Sequence, residues 1–380
     1  MTTNTIYEMY LPTYTELSKE QLDVLNLPEK GRFLVKGPPG TGKSVMALKR
    51  AQSANDTGMP VKLVMVGKPL KAYTELAARN IGINGKSSTF HSYIWRKYKS
   101  IFRKRIPQLE PYVHDWEQIL RDISGMNQSQ LGQIKNKNEA LIIDEGQDMN
   151  KYFYLFIHLL FDNYTIFADE NQRIHEDNSQ ILDIKAHAQI SKIYHLSKNY
   201  RNTKQIAELA NHFHTGTDKL PDLPDRNGVK PIFRFVKNID ESIKMIANHE
   251  NNFPRKTIGV FTPSIKHQSI IRNALKGRTK NEVMYYNYQK NEENMPDITY
   301  PGIKLITYES AKGLEFDSVF IPELHEYTEK QEEIYTRMKL YVLITRARNH
   351  LYITFNREKD YGGRLYRLFP DNDSDIIKYL

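Results

Sequence analysis

The sequence predicts an α/β protein built from two open parallel-sheet domains. Short apolar runs typical of buried strands occur in both halves, at 33–35, 61–66, 140–143, 164–168, 193–196, 232–235, 258–261, 303–306, 319–321 and 351–354. Segments compatible with helices lie between many of them, near 45–51, 71–79, 206–213, 240–250, 264–276 and 328–346. Strands that alternate with helices form parallel sheets covered by those helices. We expect a first domain over 1–190, with a small helical insertion at about 92–138, and a second over 191–380. The polar stretch 277–300 is predicted to be a loop or an edge hairpin.

Composition limits the partners and the compartment of the protein. The 380 residues carry a formal net charge of +9, which indicates a polyanionic partner such as nucleic acid. The absence of cysteine excludes disulfides, thiolate zinc sites and cysteine nucleophiles. No run approaches the roughly 18 apolar residues that a membrane span needs, and the N-terminus lacks the charged-then-apolar pattern of a signal peptide. We therefore expect a cytoplasmic protein without a membrane partner.

A glycine-rich turn follows the first apolar run and leads into a predicted helix. It consists of Gly37, Pro38, Pro39, Gly40, Thr41, Gly42, Lys43 and Ser44. Strand, glycine-rich turn and helix together are the context of a phosphate-binding loop, in which backbone N–H groups and the helix N-terminus surround the phosphates. Lys43 can bridge the β- and γ-phosphates, and Ser44 can hold Mg²⁺. The sequence therefore predicts a site for a nucleoside triphosphate and Mg²⁺.

Two later strands end in polar residues. The run at 140–143 ends in Asp144 and Glu145, and the run at 164–168 ends in the polar stretch 169–172. Open parallel sheets place their ligands at the carboxyl ends of the strands. Asp144 can hold Mg²⁺ through water, and Glu145 can polarise an attacking water molecule. These carboxylates are the acidic partner that a phosphate-binding loop needs.

The segment after Thr89 is both aromatic and basic. Apolar side chains recur there at helical spacing, and core packing is expected for Ile94, Tyr98, Ile101 and Phe102, as it is for the two tryptophans, Trp95 and Trp116. Basic residues lie between them, at Arg96, Lys97, Lys99, Arg103, Lys104 and Arg105. The pattern leaves two interpretations open, a solvated helix face and a face turned toward nucleic acid.

In their order along the chain, these motifs resemble those of superfamily 1 helicases of the UvrD/PcrA/Rep type, over roughly Gln21 to Ile353. In the first half the resemblance rests on the phosphate loop, on Thr89-Phe90-His91-Ser92 and on Asp144-Glu145-Gly146-Gln147-Asp148. It implies that Gln21 reads the adenine base and that Gln172 senses the γ-phosphate. It also implies a group of residues that contacts a single strand, namely Thr89, Phe90 and His91.

In the second half the matching segments are Asn199-Tyr200-Arg201, Thr307 to Phe316 and 341–347. The resemblance implies that Tyr200 stacks on adenine, that Arg201 reaches the γ-phosphate and that Arg346 is a second arginine finger. It further implies nucleotide contacts from Gly313 and Glu315, with Glu315 at the ribose, and nucleic-acid phosphate contacts from Thr307 and Ser310. The implied fold is a pair of RecA-like P-loop NTPase domains with parallel central sheets and an ATP cleft between them.

The sequence departs from the family pattern in several places. The segment 173–178 after Gln172 contains no tryptophan, whereas the family usually has a base-stacking one there. Glu309 stands at a position that is commonly histidine. The large insertions usual in both domains are reduced, the second to about 277–302, as in a minimal motor.

The resemblance implies an ATP-dependent translocase on single-stranded DNA, or DNA helicase, of 3′-5′ polarity. ATP and Mg²⁺ are the implied cofactors, and single-stranded DNA, with duplex junctions, is the implied partner. A second interpretation is a helicase-like ATPase subunit that senses nucleotide or DNA and regulates a partner protein such as a nuclease, as in anti-phage defence. A third is an RNA-directed motor.

Overall fold

The computed structural model describes residues 11–169, 179–215, 220–286, 300–327, 333–359 and 365–380. Contacts divide the chain into two compact units. The N-terminal unit consists of residues 11–38 and Gly42–Ser197. The C-terminal unit consists of Lys198–Leu380 together with Pro39–Thr41.

Alternating strands and helices build the N-terminal unit. Its strands are β1 (Arg32–Lys36), β2 (Val61–Met65), β3 (Ser87–Thr89), β4 (Gln108–Glu110), β5 (Val113–His114), β6 (Asn136–Ile143), β7 (Phe161–Ala168) and β8 (Ile193–His195). Its helices are α1 (Lys19–Leu25), α2 (Lys43–Asp56), α3 (Lys68–Asn80), α4 (Phe90–Phe102), α5 (Trp116–Ser124), α6 (Gln128–Ile134), α7 (Lys151–Leu160) and α8 (Ile181–His187).

Six strands of this unit form one parallel sheet in the order β3-β2-β6-β7-β1-β8. Leu34 of β1 pairs with Ile166 of β7 on one side and with Ile193 of β8 on the other. Because parallel strands end at the same edge of a sheet, the residues that follow β1, β6 and β7 are brought together. The two remaining strands, β4 and β5, form a separate antiparallel hairpin.

The middle strands of the sheet are covered on both faces. Leu34, Ile143 and Ile166 are completely buried, and one hydrophobic cluster joins the sheet to α4, α5 and α7. Burial on both faces explains why these strands are continuous apolar runs rather than alternating ones. The sheet is therefore a rigid base for the loops at its carboxyl edge.

The C-terminal unit repeats the α/β pattern. Its strands are β9 (Ile232–Phe235), β10 (Thr257–Thr262), β11 (Met284–Tyr285), β12 (Gly302–Thr307), β13 (Phe316–Ile321), β14 (Ala347–Phe355) and β15 (Lys378–Tyr379). Its helices are α9 (Lys204–His212), α10 (Ile239–Asn252), α11 (Ile265–Leu275) and α12 (Glu333–Ile344). The strands pair in parallel in the order β11-β12-β10-β13-β14-β9-β15. One buried cluster joins this sheet to α9 and α12, and a second joins it to α10 and α11.

The two parallel α/β sheets confirm the predicted fold class. Within the polar stretch 277–300, Met284–Tyr285 pairs in parallel with β12, which makes it an edge strand of the sheet. A hairpin would have required an antiparallel neighbour; residues 287–299 lie outside the described residues. In the part of the chain that the structure describes, no helix is both long and apolar enough to cross a membrane.

Candidate functional site

The turn between β1 and α2 has the backbone that a phosphate-binding loop requires. Gly40 and Gly42 have φ values of +80° and +86°, which side-chain-bearing residues rarely adopt. Gly42 is also the residue immediately before α2, so the helix begins at the loop. A Cβ atom at Gly42 would lie 2.9 Å from the Nε2 atom of Gln21, so a side chain there would displace the Gln21 amide.

Lys43 is the first residue of α2 and points back across the loop. Its Nζ donates to the Gly37 carbonyl at 2.7 Å and to the Pro38 carbonyl at 2.9 Å. It also lies 3.4 Å from Oδ2 of Asp169, the residue that follows β7, and both side chains are almost completely buried. The ammonium is thus fixed at the carboxyl edge of the sheet, with a carboxylate as its counter-charge.

Asp144 follows β6 and continues its pairing with β2, since its N–H donates to the Val64 carbonyl at 2.9 Å. Burial and the neighbouring Glu145 carboxylate raise the pKa of Asp144 to about 6, against the opposing effects of a hydrogen bond from Ser44 and the charge of Lys43. Ser44 and Asp144, the predicted Mg²⁺ ligands, are therefore in contact. A hydroxyl beside a buried carboxylate fits Mg²⁺, because the cation would stabilise the ionised form that burial disfavours.

Glu145 is held by a side chain that sequence reasoning did not single out. Gln147 is completely buried; its Nε2 donates to Glu145 Oε2 at 2.5 Å, and its Oε1 accepts from the Asp169 N–H at 2.9 Å. Glu145 has a φ of +53°, a strained conformation for a residue with a side chain. Gln147 thus fixes the Glu145 carboxylate relative to the loop that carries Asp169.

Gly146 explains the spacing of this acidic motif. A Cβ atom at this position would lie 2.7 Å from Ile166 Cγ2 and 2.9 Å from the Tyr154 hydroxyl oxygen. Tyr154 donates a hydrogen bond to the Gly146 carbonyl. The turn between Glu145 and Gln147 therefore packs directly against β7 and α7 and has no room for a side chain at Gly146.

Gln21 lies in α1, beside the phosphate loop. Ser18 caps this helix: its Oγ accepts from the Gln21 N–H at 3.2 Å, while Gln21 Oε1 accepts from the Ser18 N–H at 3.0 Å. Gln21 is 6% exposed, and its side-chain amide lies against Gly42. Its helix cap thus holds the predicted adenine-reading residue against the loop. Gln172, the predicted γ-phosphate sensor, lies outside the described residues.

In the C-terminal unit, Arg201 and Glu315 form an ion pair, with Arg201 Nε 2.6 Å from Glu315 Oε2. Arg348 Nη1 lies 3.7 Å from the other carboxylate oxygen. Burial alone would raise the pKa of Glu315, but Arg201, Arg348 and Arg346 outweigh it and hold that pKa below its usual range. Glu315 therefore stays ionised, and the cluster carries more positive than negative charge.

Arg346 is enclosed within its own unit and is 1% exposed. Its Nε donates to the Val342 carbonyl at 2.9 Å, and its Nη1 donates to the Leu314 carbonyl at 3.4 Å. These bonds orient the predicted second arginine finger from α12 and from the turn before β13. Arg201 has a different support, because its N–H donates to Asn199 Oδ1 at 2.9 Å.

Asn202 is a positioning residue that sequence reasoning missed. It is completely buried, accepts from Asn199 Nδ2 at 2.8 Å and donates to the Thr345 carbonyl at 3.1 Å. It thereby ties the turn that carries Arg201 to the segment that carries Arg346. Tyr200, the predicted adenine-stacking residue, is 45% exposed, with Lys198 Nζ 5.8 Å from its ring centre.

The predicted nucleic-acid phosphate contacts lie at the end of β12 and in the turn that follows it. Thr307 Oγ1 donates to Ser310 Oγ at 3.1 Å. The unexpected acid in this segment, Glu309, is half exposed and lies 3.0 Å from Lys339 Nζ, so its charge is paired with an ammonium of the same unit. Gly313 has a φ of +76°, which favours glycine at this turn.

The predicted strand-contacting motif lies at the junction of β3 and α4. Phe90 is largely buried, with its ring centre 5.0 Å from that of Phe153, whereas His91 is half-buried and hydrogen-bonds through Nδ1 to His114 Nε2 at 3.1 Å. Thr89 ends β3. The expectation that Trp95 packs in the core is wrong: it is 42% exposed, and Lys99 Nζ lies 4.9 Å from its ring centre.

A separate acidic cluster, Glu323, His325 and Glu326, has the spacing of a metal site but not its chemistry. His325 Nδ1 accepts a hydrogen bond from the Asn356 N–H at 3.0 Å, which places the proton of the neutral ring on Nε2. That nitrogen lies 3.8 Å from Glu326 Oε1. A metal at Nε2 would have to displace this proton, so Ser44 and Asp144 remain the better cation ligands.

Comparisons with known proteins agree with these motifs. A model of the UvrD-like helicase C-terminal domain matches residues 281–358, and a model of an AAA domain matches residues 23–178. The second range contains Lys43, Asp144 and Glu145, and the first contains Glu315 and Arg346. The two matches, in this order along the chain, support a superfamily 1 helicase of the UvrD/PcrA type.

Two curated proteins illustrate what the chain is similar to. A probable DNA helicase from Mycoplasma pneumoniae is 26% identical over 247 residues, covering 56% of this chain and 42% of that protein. The RecBCD enzyme subunit RecB of Chlamydia trachomatis is 39% identical over 75 residues, or 20% of this chain and 6% of that protein. The chain therefore spans less than half the length of each. A solved C-terminal domain of a possible DNA helicase from Lactobacillus plantarum, 21% identical, covers 47% of this chain and 97% of that domain, with a TM-score of 0.34. A likeness this weak does not bear on the fold.

Proposed function

We propose that this UvrD-like helicase hydrolyses ATP with Mg²⁺ and uses the reaction to move along single-stranded DNA in the 3′-5′ direction. The observation that carries the proposal is the contact between Ser44 and the buried Asp144 beside Lys43. The ammonium that we assign to the phosphates, Lys43, thus lies beside the proposed Mg²⁺ ligands, Ser44 and Asp144, at the carboxyl edge of the sheet.

Mg²⁺ bound by Ser44 and Asp144 would neutralise charge on the phosphates. Lys43, whose Nζ now lies among two carbonyls and Asp169, supplies a second positive charge at the same edge. Glu145, fixed by Gln147, is suited to orienting the attacking water, because its carboxylate has a single bound orientation. These residues are the ones that phosphoryl transfer to water requires.

Arg201 and Arg346 are the groups we assign to the developing charge on the γ-phosphate. A planar guanidinium offers two parallel donors to phosphate oxygens. Arg201 is half-buried and bound to one carboxylate, so it can exchange that partner for a phosphate. Tyr200, with its exposed ring, and Gln21 are suited to the adenine base, and Glu315 to the ribose.

The net charge of +9 and the hydroxyls of Thr307 and Ser310 support a nucleic-acid strand as the second ligand. Binding that neutralises phosphates releases counterions, so affinity should fall steeply as salt rises. DNA is the strand we propose, since the curated relative from Mycoplasma pneumoniae is named a DNA helicase.

Streptavidin displacement tests both movement and direction. Oligonucleotides carrying biotin at either the 5′ or the 3′ end are bound to streptavidin and mixed with protein and ATP. A 3′-5′ motor should displace streptavidin from the 5′ end much faster than from the 3′ end, and the Lys43→Ala variant should displace neither. Faster release from the 3′ end would reverse the polarity. Stimulated ATP turnover with no release from either end would contradict translocation.

Displacement from RNA and ATP turnover with a partner protein test the two other interpretations. Faster movement on RNA of the same sequence would favour an RNA-directed motor. ATP turnover that appears only with a co-purified protein would favour a regulatory subunit that senses nucleotide or DNA and controls a partner such as a nuclease.

A further inference from the structure

The β4–β5 hairpin exposes an aromatic ring on a strained turn. Tyr112, between the two strands, is 73% exposed and has a φ of +68°. Leu109 and Val113 on the same hairpin are 70% and 47% exposed. The left-handed region is a strained conformation for tyrosine. The strained turn therefore exposes apolar side chains to solvent instead of packing them in the core.

Tyr112 is nevertheless anchored by a series of rings that reaches the core. Its ring centre lies 5.6 Å from that of His91, in an edge-to-face arrangement. His91 is hydrogen-bonded to His114 at 3.1 Å, and the His114 ring centre lies 5.8 Å from that of the buried Trp116. We call Tyr112, His91 and His114 the Tyr112 platform. Its inner end is rigid, and its outer ring is open to solvent.

Both histidines of the Tyr112 platform are neutral at physiological pH. Burial lowers the pKa of His91, and burial together with His91 lowers that of His114 to about 4. His114 is 6% exposed, and its Nδ1 atom has no hydrogen-bond partner in the described structure. The rings can therefore stack without charge repulsion between them.

Exposed basic residues precede the hairpin and lie along α4. Arg103, Lys104 and Arg105, just before the hairpin, are all exposed, and Lys104 is paired with Asp122 at 3.0 Å. Along α4, residues four apart lie on one side of the helix, which places Trp95 and Lys99 in line with His91. The exposed acid of the hairpin is Glu110. Aromatic rings interleaved with cations are the surface that single-stranded nucleic acids bind.

We propose that the Tyr112 platform stacks on a base of single-stranded nucleic acid, with the cations of α4 and its C-terminal end along the backbone. The inference rests on the proposed function, since it names a binding site for the strand on which that function acts. A polyanionic strand suits this surface better than an apolar protein segment, because the exposed cations outnumber the exposed acid.

Affinity for a fluorescein-labelled oligo(dT), measured by anisotropy at low salt, tests the proposal. Stacking contributes about 1–3 kcal/mol per base, so Tyr112→Ala should weaken binding by about 5- to 150-fold. Tyr112→Phe keeps the ring and should stay within about twofold of wild type. Leu109→Ala, a truncation of the same hairpin, is the matched control and should also bind as wild type does. Thermal melting shows whether each variant is folded.

Crosslinking gives a second readout that does not depend on variants. An oligonucleotide with 5-iododeoxyuridine, irradiated on the wild-type protein, should crosslink to Tyr112 or His91, as identified by mass spectrometry. Crosslinks found only outside β4, β5 and α4 would overturn the inference.

Measurements on the wild-type protein separate failure of the Tyr112 platform from failure of the proposed function. If wild type binds the strand and is stimulated by it while Tyr112→Ala binds equally well, the platform is wrong and the proposed function stands. If wild type neither binds nor responds, both fail. Unchanged DNA affinity with a loss of self-association in sedimentation would reassign the hairpin to a protein contact.

Discussion

Lys43 Nζ lies 3.4 Å from Asp169 Oδ2, and the Asp169 N–H donates to Gln147, which in turn donates to Glu145. The lysine assigned to the phosphates and the acid assigned to the attacking water are therefore joined by a series of contacts across β1, β7 and β6. Because Asp169 and Gln147 lie between the two ends, substitution of any one of these residues should affect the others, and each contact can be tested separately.

Gln147→Ala should slow ATP turnover by about 10²-fold, because the Glu145 carboxylate loses the donor that orients it. The Michaelis constant for ATP should change little, since Gln147 does not contact the phosphate loop. Stability should fall by about 1–3 kcal/mol, because the buried Asp169 N–H loses its acceptor. Lys151→Ala, an exposed position at the start of α7, is the control. Unaltered turnover in the Gln147 variant would remove Glu145 from its assigned role.

Lys43→Ala should abolish turnover and weaken ATP binding. The substitution removes the ammonium and leaves Asp169 without this counter-charge close to Asp144 and Glu145. Lys49→Ala, one turn and a half further along α2, should behave as wild type. Equilibrium binding of a fluorescent ATP analogue and steady-state turnover check both parts. Substantial turnover in the Lys43 variant would mean that the loop is not the catalytic phosphate site.

Mg²⁺ dependence should change with pH around Asp144. Its pKa of about 6 means that the carboxylate is ionised above that pH, while protons compete with Mg²⁺ below it. The Mg²⁺ concentration for half-maximal turnover should then rise by about tenfold for each pH unit below about 6. Asp144→Asn should be inactive at every pH. A Mg²⁺ requirement that stays constant from neutral pH down to about pH 5 would exclude Asp144 as a ligand.

Arg201→Ala should slow turnover by about 10³-fold or more with little loss of ATP affinity, because an arginine finger acts mainly on the charge that develops during transfer. Lys204→Ala, exposed at the start of α9, is the matched control. Single-turnover measurements separate the chemical step from binding. A large loss of affinity with an unchanged chemical step would make Arg201 a binding residue instead.

Acid should destabilise the N-terminal unit through His114. Its pKa of about 4 in the folded protein is below the roughly 6.5 of an unfolded chain, so the unfolded state binds more protons between these values. The stabilisation is complete above about pH 6.5 and is lost as the pH falls toward 4, by at most about 1.4 kcal/mol per pH unit. His114→Gln should flatten the pH dependence of the melting temperature, whereas the exposed His195→Gln should not.

The phosphate loop could be predicted from sequence, because its strand, glycine-rich turn and helix are contiguous. Its glycines are recognisable because their backbone conformations are rare for other residues. Asp169 could not be assigned to Lys43 in this way. Their contact depends on β7 lying beside β1, and strand order is a non-local property. Asn202 was missed for the same reason, since its partner Thr345 is distant in sequence.

Trp95 shows that burial cannot be inferred from hydrophobicity alone. The buried side chains of α4 are Phe90, Tyr93, Ile94 and Tyr98, which form one stripe. Trp95 is one residue past Ile94, about 100° around the helix, and so lies off that stripe. The spacing predicted the core face correctly, but hydrophobicity alone could not place the tryptophan on it.

Steady-state ATP turnover at low salt, with and without single-stranded DNA, tests the central claim most directly. We predict a severalfold stimulation by the strand that weakens as salt rises and is absent in Lys43→Ala. Equal turnover with and without DNA, in protein that binds ATP and is folded, would contradict it.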